Sequence, residues 1–203
     1  AAPAAPAPVR AIARLADDFT PAHRFEQSFD VPFEPDVVFA LFADIPAVAA
    51  CLPGAVVDAM PAPDRVEGGM RVALGPIHAT FRGTARLTRD ASARAGTIRG
   101  AGADGGSSTE GEISYRVLPG MAPGTARVAL EVGYTLKGPL AQFGRPGLVR
   151  EVAGRLVSAF AANLAARLSG TPAPAHATPG LNPLRLALDL IAARLAALFG
   201  RGG

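Results

Sequence analysis

Residues Phe143 to Leu168 read FGRPGLVREVAGRLVSAFAANLAARL, and the spacing of their apolar side chains decides the fold. Val149, Val152, Ala153, Leu156, Val157, Phe160 and Leu164 recur at i, i+3, i+4 and i+7, while Arg150, Glu151, Arg155 and Ser158 fall on the other side. That is the 3.6-residue period of an amphipathic helix. Gly144, Pro146 and Gly147 make an irregular start, and Ser169-Gly170 followed by Pro172 supplies the stop signals of a helix C-terminus. A helix with one apolar face needs a partner surface, and the only large one in the chain is the run of strand patterns before it.

Those strands alternate strictly. Phe25, Gln27, Phe29 and Val31 form one face of a first strand, after which Pro35 suits the first turn of a helix carrying Val38, Phe39, Leu41 and Phe42. Asp44 is placed to cap a second short helix through Ala50, with Pro46 in its first turn, and Leu52-Pro53-Gly54 turns the chain. Six strands follow: 56–60, 65–74, one opening at Ile77, 97–102, 110–117 and 128–136. In the third of these Ile77, Ala79, Phe81, Gly83, Ala85 and Leu87 share one side, and His78, Thr80, Arg82, Thr84 and Arg86 the other. One-sided alternation of this kind marks an antiparallel sheet with one solvated face. The expected fold class is therefore α+β: a curved antiparallel sheet wrapped around a long C-terminal helix, with two short helices after the first strand. Ala79, Gly83, Ala85, Gly100 and Gly102 all fall on the inward side. Small residues there admit either a close helix approach or an internal void.

The flanks differ from this middle. Residues 1–23 are rich in Ala and Pro, with a short helical turn expected over Ala11 to Phe19, and residues 24–169 make up the domain. Residues 170–182 form a Pro-rich linker. From Pro183 onward Leu184, Leu188, Ile191, Leu195, Leu198 and Phe199 share one face, with Arg185, Asp189 and Arg194 elsewhere. This stretch is too short and too charged to span a bilayer and suits a helix lying at a membrane surface. Docking on its own domain or on a partner is the competing reading.

Composition removes several function classes. The chain is 49% hydrophobic with a formal charge of only +3, and its arginines are scattered and not interleaved with aromatics, which argues against a nucleic-acid partner. Cys51 stands alone, so no internal disulfide calls for an oxidising compartment, and the cytoplasm is favoured. No His, Cys, Asp and Glu set has metal-ligand spacing, and His23 and His176 read as linker residues. His78 falls on the outer face, Ser158 has no identifiable base, and Cys51 reads as a packing residue, so no catalytic residue is expected. Tyr115, Tyr134 and Asn163 project inward. Each either satisfies backbone or water or contacts the polar end of a ligand.

Four segments carry a resemblance. Phe29-Asp-Val-Pro-Phe-Glu-Pro-Asp-Val-Val-Phe39, Asp44-Ile-Pro with Cys51-Leu-Pro-Gly54, Leu74-Gly-Pro-Ile77 with Phe81-Arg-Gly83, and Gly138-Pro-Leu-Ala-Gln-Phe-Gly144 resemble the carbon monoxide dehydrogenase G-subunit family of the START-like, helix-grip superfamily. The matched motifs are turns and packing positions and bring no catalytic residue with them. The resemblance implies an apolar cavity between sheet and long helix, and association with a molybdenum hydroxylase of the carbon monoxide dehydrogenase type. It also implies a non-enzymatic role in recruiting that enzyme to the inner face of the cell membrane and carrying a quinone, menaquinone or ubiquinone, with no covalent cofactor. Combined with the alternation, it places Phe42, Ile77, Phe81, Ile98, Ile113, Tyr115, Leu130, Tyr134, Val152, Leu156, Phe160 and Asn163 on the cavity wall. A cyclase- or hydrolase-like enzyme of the same fold, or an assembly factor with its cavity packed shut, are the alternatives.

Overall fold

A computed structural model describes residues 18–74, 77–142 and 144–171. The C-terminal amphipathic segment, Phe143, nearly all of the Ala11 to Phe19 turn and the side chain of Ile77 lie outside the described residues. The chain runs β1 (His23–Val31), α1 (Pro35–Leu41), α2 (Ile45–Cys51), β2 (Ala55–Ala62), β3 (Arg65–Leu74), β4 (Ile77–Asp90), β5 (Ala95–Asp104), β6 (Ser107–Pro119), β7 (Ala126–Lys137), a 3-10 turn (Pro139–Gln142) and α3 (Pro146–Leu168). The strands form one antiparallel sheet in the order β1-β7-β6-β5-β4-β3-β2, so β1 and β2 are its edges. This is the expected α+β helix-grip arrangement, and α3 lies closest against β1, with smaller approaches to α2 and β3.

Local chemistry accounts for the boundaries. Pro35 and Pro46 each stand in the first turn of their helix, and the Asp44 carboxylate accepts the Ala47 N–H at 3.0 Å. The long helix starts at Pro146 and not at Phe143, because proline fixes a helical φ without needing an amide partner. The strand β2 runs past Pro61 to Ala62; an edge strand tolerates a proline because its outward N–H has no partner to lose. His23 is the clearest departure from the sequence reading. It opens β1 opposite Tyr134 instead of lying in a linker. The chain ahead of it crosses the outer sheet face, where Pro21 sits on Gly133 and the Ala22 N–H donates to Thr135 Oγ1 at 3.0 Å.

The space between sheet and helix has two unlike ends. At the α1 end, Val31, Val38, Val117, Val128 and Leu164 are all but completely buried and pack with Phe29, Phe39, Phe42 and Ala126. Burying each of these aliphatic side chains contributes on the order of 1.5–3 kcal/mol. At the other end the sheet presents backbone. Gly68, Gly83 and Gly102 stand side by side across β3, β4 and β5, and Ala85, Gly100 and Gly111 form a second row across β4, β5 and β6. At Gly83 the strands crowd so closely that a Cβ would fall 1.8 Å from the Ala101 carbonyl oxygen. Glycine is thus the condition for the tight curl of the sheet at that point.

Candidate functional site

The two glycine rows leave a hollow, bare of side chains, in the inward face of the sheet. Period-two alternation along β4 to β7 turns Phe81, Ile98, Ile113, Leu130 and Tyr134 toward it, and Val152, Leu156 and Phe160 face it from the helix. All eight are partly exposed, whereas their counterparts at the α1 end are buried. Natural cores fill nearly all of their space, so a run of partly exposed inward apolar side chains marks room that the protein does not fill itself.

Aromatic rings divide the filled end from the hollow. Phe160 meets Phe29 edge-on at 5.7 Å and Phe42 at 6.2 Å, and Phe42 lies 4.8 Å from Tyr115. Such contacts contribute roughly 0.5–1.5 kcal/mol each beyond their buried area. The Tyr115 ring covers Gly96, directly across the ladder, where a Cβ would come within 2.5 Å of the hydroxyl. Its hydroxyl therefore points along the sheet toward Arg89, away from the hollow. Burial raises the Tyr115 pKa, with the Arg89 charge opposing. Arg89 in turn donates to the Phe39 carbonyl at 2.7 Å and covers the Phe39 ring at 3.9 Å, tying β4 to α1. Tyr115 and Phe42 thus wall the hollow with rings and offer it no polar group.

Asn163, only 6% exposed, shares the stripe of Val152, Leu156 and Phe160, and its amide nitrogen donates to the Cys51 carbonyl at the end of α2 at 2.9 Å. It satisfies an otherwise orphaned helix-end carbonyl, the structural one of the two roles open to it. Its side-chain oxygen is buried with no hydrogen-bond partner among the described residues. The neighbouring Cys51 thiol donates to Ala47 O at 3.3 Å, and burial pushes its pKa up, as for an unreactive packing thiol.

Tyr134 differs from both. Its ring lies 5.2 Å from His23 and 6.1 Å from Phe25, on the strand position facing Gly111, and its hydroxyl is buried with no partner among the described residues. Burial raises its pKa, and the only charge that opposes this is Arg150, on the first turns of α3. Of the expected wall residues, Phe81, Ile98, Ile113, Leu130, Tyr134, Val152, Leu156 and Phe160 are partly exposed, whereas Phe42, Tyr115 and Asn163 are buried, the last two directing their hydrogen-bonding groups to Arg89 and Cys51; the side chain of Ile77 is not among those described. The signal that sequence reasoning lacked is the pairing of glycines across strands, visible only once the register is known.

Two other depressions lie apart from this enclosure. A trough of about 870 Å³ opens on the outer sheet face, lined by Ser28, Thr97, Ser114, Arg116, Arg127 and Glu131 among others. Polar and charged side chains predominate in its lining, with Ala95, Leu118, Ala129 and Leu130 beside them, and it is open to solvent. A groove of about 370 Å³ runs between Pro32, Phe33 and the alanines of the last turns of α3. His78 is exposed on the outer face, and Ser158 donates to the carbonyl of Gly154 within its own helix. No group of three or more His, Cys, Asp or Glu that could hold a metal occurs among the described residues, and none of the described helices is long and apolar enough to cross a membrane.

Comparison with known proteins agrees with the fold. The family model of CoxG, the G subunit of carbon monoxide dehydrogenase, matches residues 28–169. No curated protein sequence matches significantly. Among solved structures, a conserved protein from Geobacillus kaustophilus is similar with a TM-score of 0.65 at 12% identity, over 73% of this chain and 96% of that one. A START superfamily protein from Mycobacterium smegmatis gives 0.52 at 14% identity, over 73% and 99%. The Zhui aromatase/cyclase from Streptomyces sp. R1128 gives 0.52 at 15%, over 74% and 99%. At these identities the likeness establishes the START-like fold and no activity.

Proposed function

Because the chain belongs to the CoxG family, the G subunits of carbon monoxide dehydrogenase, we propose that it is a non-enzymatic accessory protein that carries a lipophilic ligand for a molybdenum hydroxylase of the carbon monoxide dehydrogenase type. The observation that supports this reading is the hollow at the glycine rows of the inward sheet face. Phe81, Ile98, Ile113, Leu130, Val152, Leu156 and Phe160 line it and remain partly exposed, over a floor of glycine backbone. An apolar enclosure with few polar groups suits a flat ring on a hydrocarbon tail, and a quinone, menaquinone or ubiquinone, is the ligand that also fits an electron-transferring partner. In this account the enclosure moves the quinone between the bilayer and the soluble enzyme.

The segment after Thr171 supplies the membrane contact in the same account. Leu184, Leu188, Ile191, Leu195, Leu198 and Phe199 would lie in the headgroup region on the inner face of the cell membrane, with the Pro-rich residues 170–182 giving reach. Titrating ligand-free full-length protein with a short-tailed quinone tests the carrier role: saturable binding is expected, and an absence of binding leaves an assembly factor. Vesicle flotation of the full chain against a chain ending at Thr171 tests the tether. Only the full chain is expected to float, and equal behaviour removes the tether.

A further inference from the structure

Three of the expected wall residues carry polar groups, and the structure separates them. The Asn163 amide donates to the Cys51 carbonyl, and the Tyr115 hydroxyl lies over Gly96 beside Arg89. Tyr134 alone has a donor both buried and unpartnered among the described residues, at the glycine-floored end of the hollow. A phenol O–H removed from water without an acceptor is a standing cost, and a ligand acceptor that reached it would remove that cost. We propose that the Tyr134 hydroxyl is the anchor for a carbonyl oxygen carried by the apolar ligand, donating to it beneath the first turns of α3.

Three features of the surroundings support the anchor. His23 at 5.2 Å and Phe25 at 6.1 Å hold the phenol ring from one side, so its hydroxyl is oriented before any ligand arrives. On the other side the ladder neighbours are Gly111 and then Gly100, which put no side chain beside the phenol. The charge of Arg150, on the first turns of α3, opposes the rise in the hydroxyl's pKa, and a positive field favours an oxygen bearing partial negative charge. A quinone and a long-chain fatty acid both present such a carbonyl oxygen. The inference rests on the carrier reading above and deepens it by naming the contact that fixes the ligand's polar end.

The test compares full-length wild type and Tyr134→Phe in titrations with a short-tailed quinone, a fatty acid of matched length and an alkylbenzene of matched length. The variant is expected to bind its carbonyl ligand about five-fold more weakly, the effect of losing one net hydrogen bond, and the alkylbenzene unchanged. The carbonyl stretch of the bound ligand is expected to shift upward in the variant. A loss confined to the quinone or to the fatty acid identifies which source the anchor serves. Equal binding of both carbonyl ligands by wild type and variant overturns the anchor and leaves the carrier reading standing, as does a loss that extends equally to the alkylbenzene. Failure of wild type to bind any of the three overturns both.

Discussion

Gly83→Ala is expected to destabilise the protein by about 3 kcal/mol or more, a large share of the stability of an ordinary domain. The added methyl group would lie 1.8 Å from the Ala101 carbonyl oxygen and 2.7 Å from the Gly102 Cα. Both are backbone atoms of the adjoining strand β5, so no side chain can swing aside, and relief requires opening the β4–β5 ladder where the sheet curls. Gly111→Ala is the control. A Cβ there meets only the Gly133 carbonyl at 3.5 Å, an ordinary contact, and the change is expected to be neutral or stabilising by up to about 1 kcal/mol through the unfolded chain. Urea unfolding of the two variants, followed by far-UV circular dichroism, measures the contrast. Similar midpoints would mean that the curl is not set at Gly83.

Gly100→Leu is expected to leave the fold intact and weaken ligand binding by roughly 10- to 100-fold, the equivalent of about 1.4–2.7 kcal/mol of overlap. The Cβ at Gly100 would stand 3.4 Å from the Thr84 carbonyl and 3.6 Å from the Ala85 Cβ, distances that backbone and neighbour accept. Beyond the Cβ the side chain projects into the hollow, between the partly exposed Ile98 and Tyr134. A leucine there covers apolar surface that the native protein leaves open, so stability is expected to hold or rise as affinity falls. Isothermal titration with a short-tailed quinone checks the affinity. Binding at the wild-type level by a folded Gly100→Leu protein would place the ligand somewhere other than over the glycine floor.

These two glycines show what the sequence made legible and what it did not. Strict alternation along β4 gave the inward side of Gly83 and Ala85 without any structure, and the i, i+3, i+4 stripe gave the sheet-facing side of α3. Turn chemistry at Pro35, Asp44 and Pro146 marked helix starts for reasons that act within one turn of chain. Register was hidden, because it depends on which residues of different strands come to lie side by side. Gly68, Gly83 and Gly102 are separated in the chain by fifteen or more residues and become one row only in the folded sheet. The same limit explains His23, whose neighbours Thr20, Pro21 and Ala22 look like linker, yet whose backbone pairs with Tyr134 far along the chain. It also explains why Tyr115 and Tyr134, equal in sequence, separate in the structure: one has Gly96 across the ladder and Arg89 beyond it, the other has an open floor and no partner among the described residues.

The central claim is that the space under α3 holds a lipophilic ligand, and mass spectrometry of an organic-solvent extract of the natively purified full-length protein tests it most directly. The account predicts a quinone recovered at about one molecule per chain and sharply reduced in Gly100→Leu prepared in parallel. An extract free of quinone and lipid, from folded protein that also fails to take up added quinone, would contradict it.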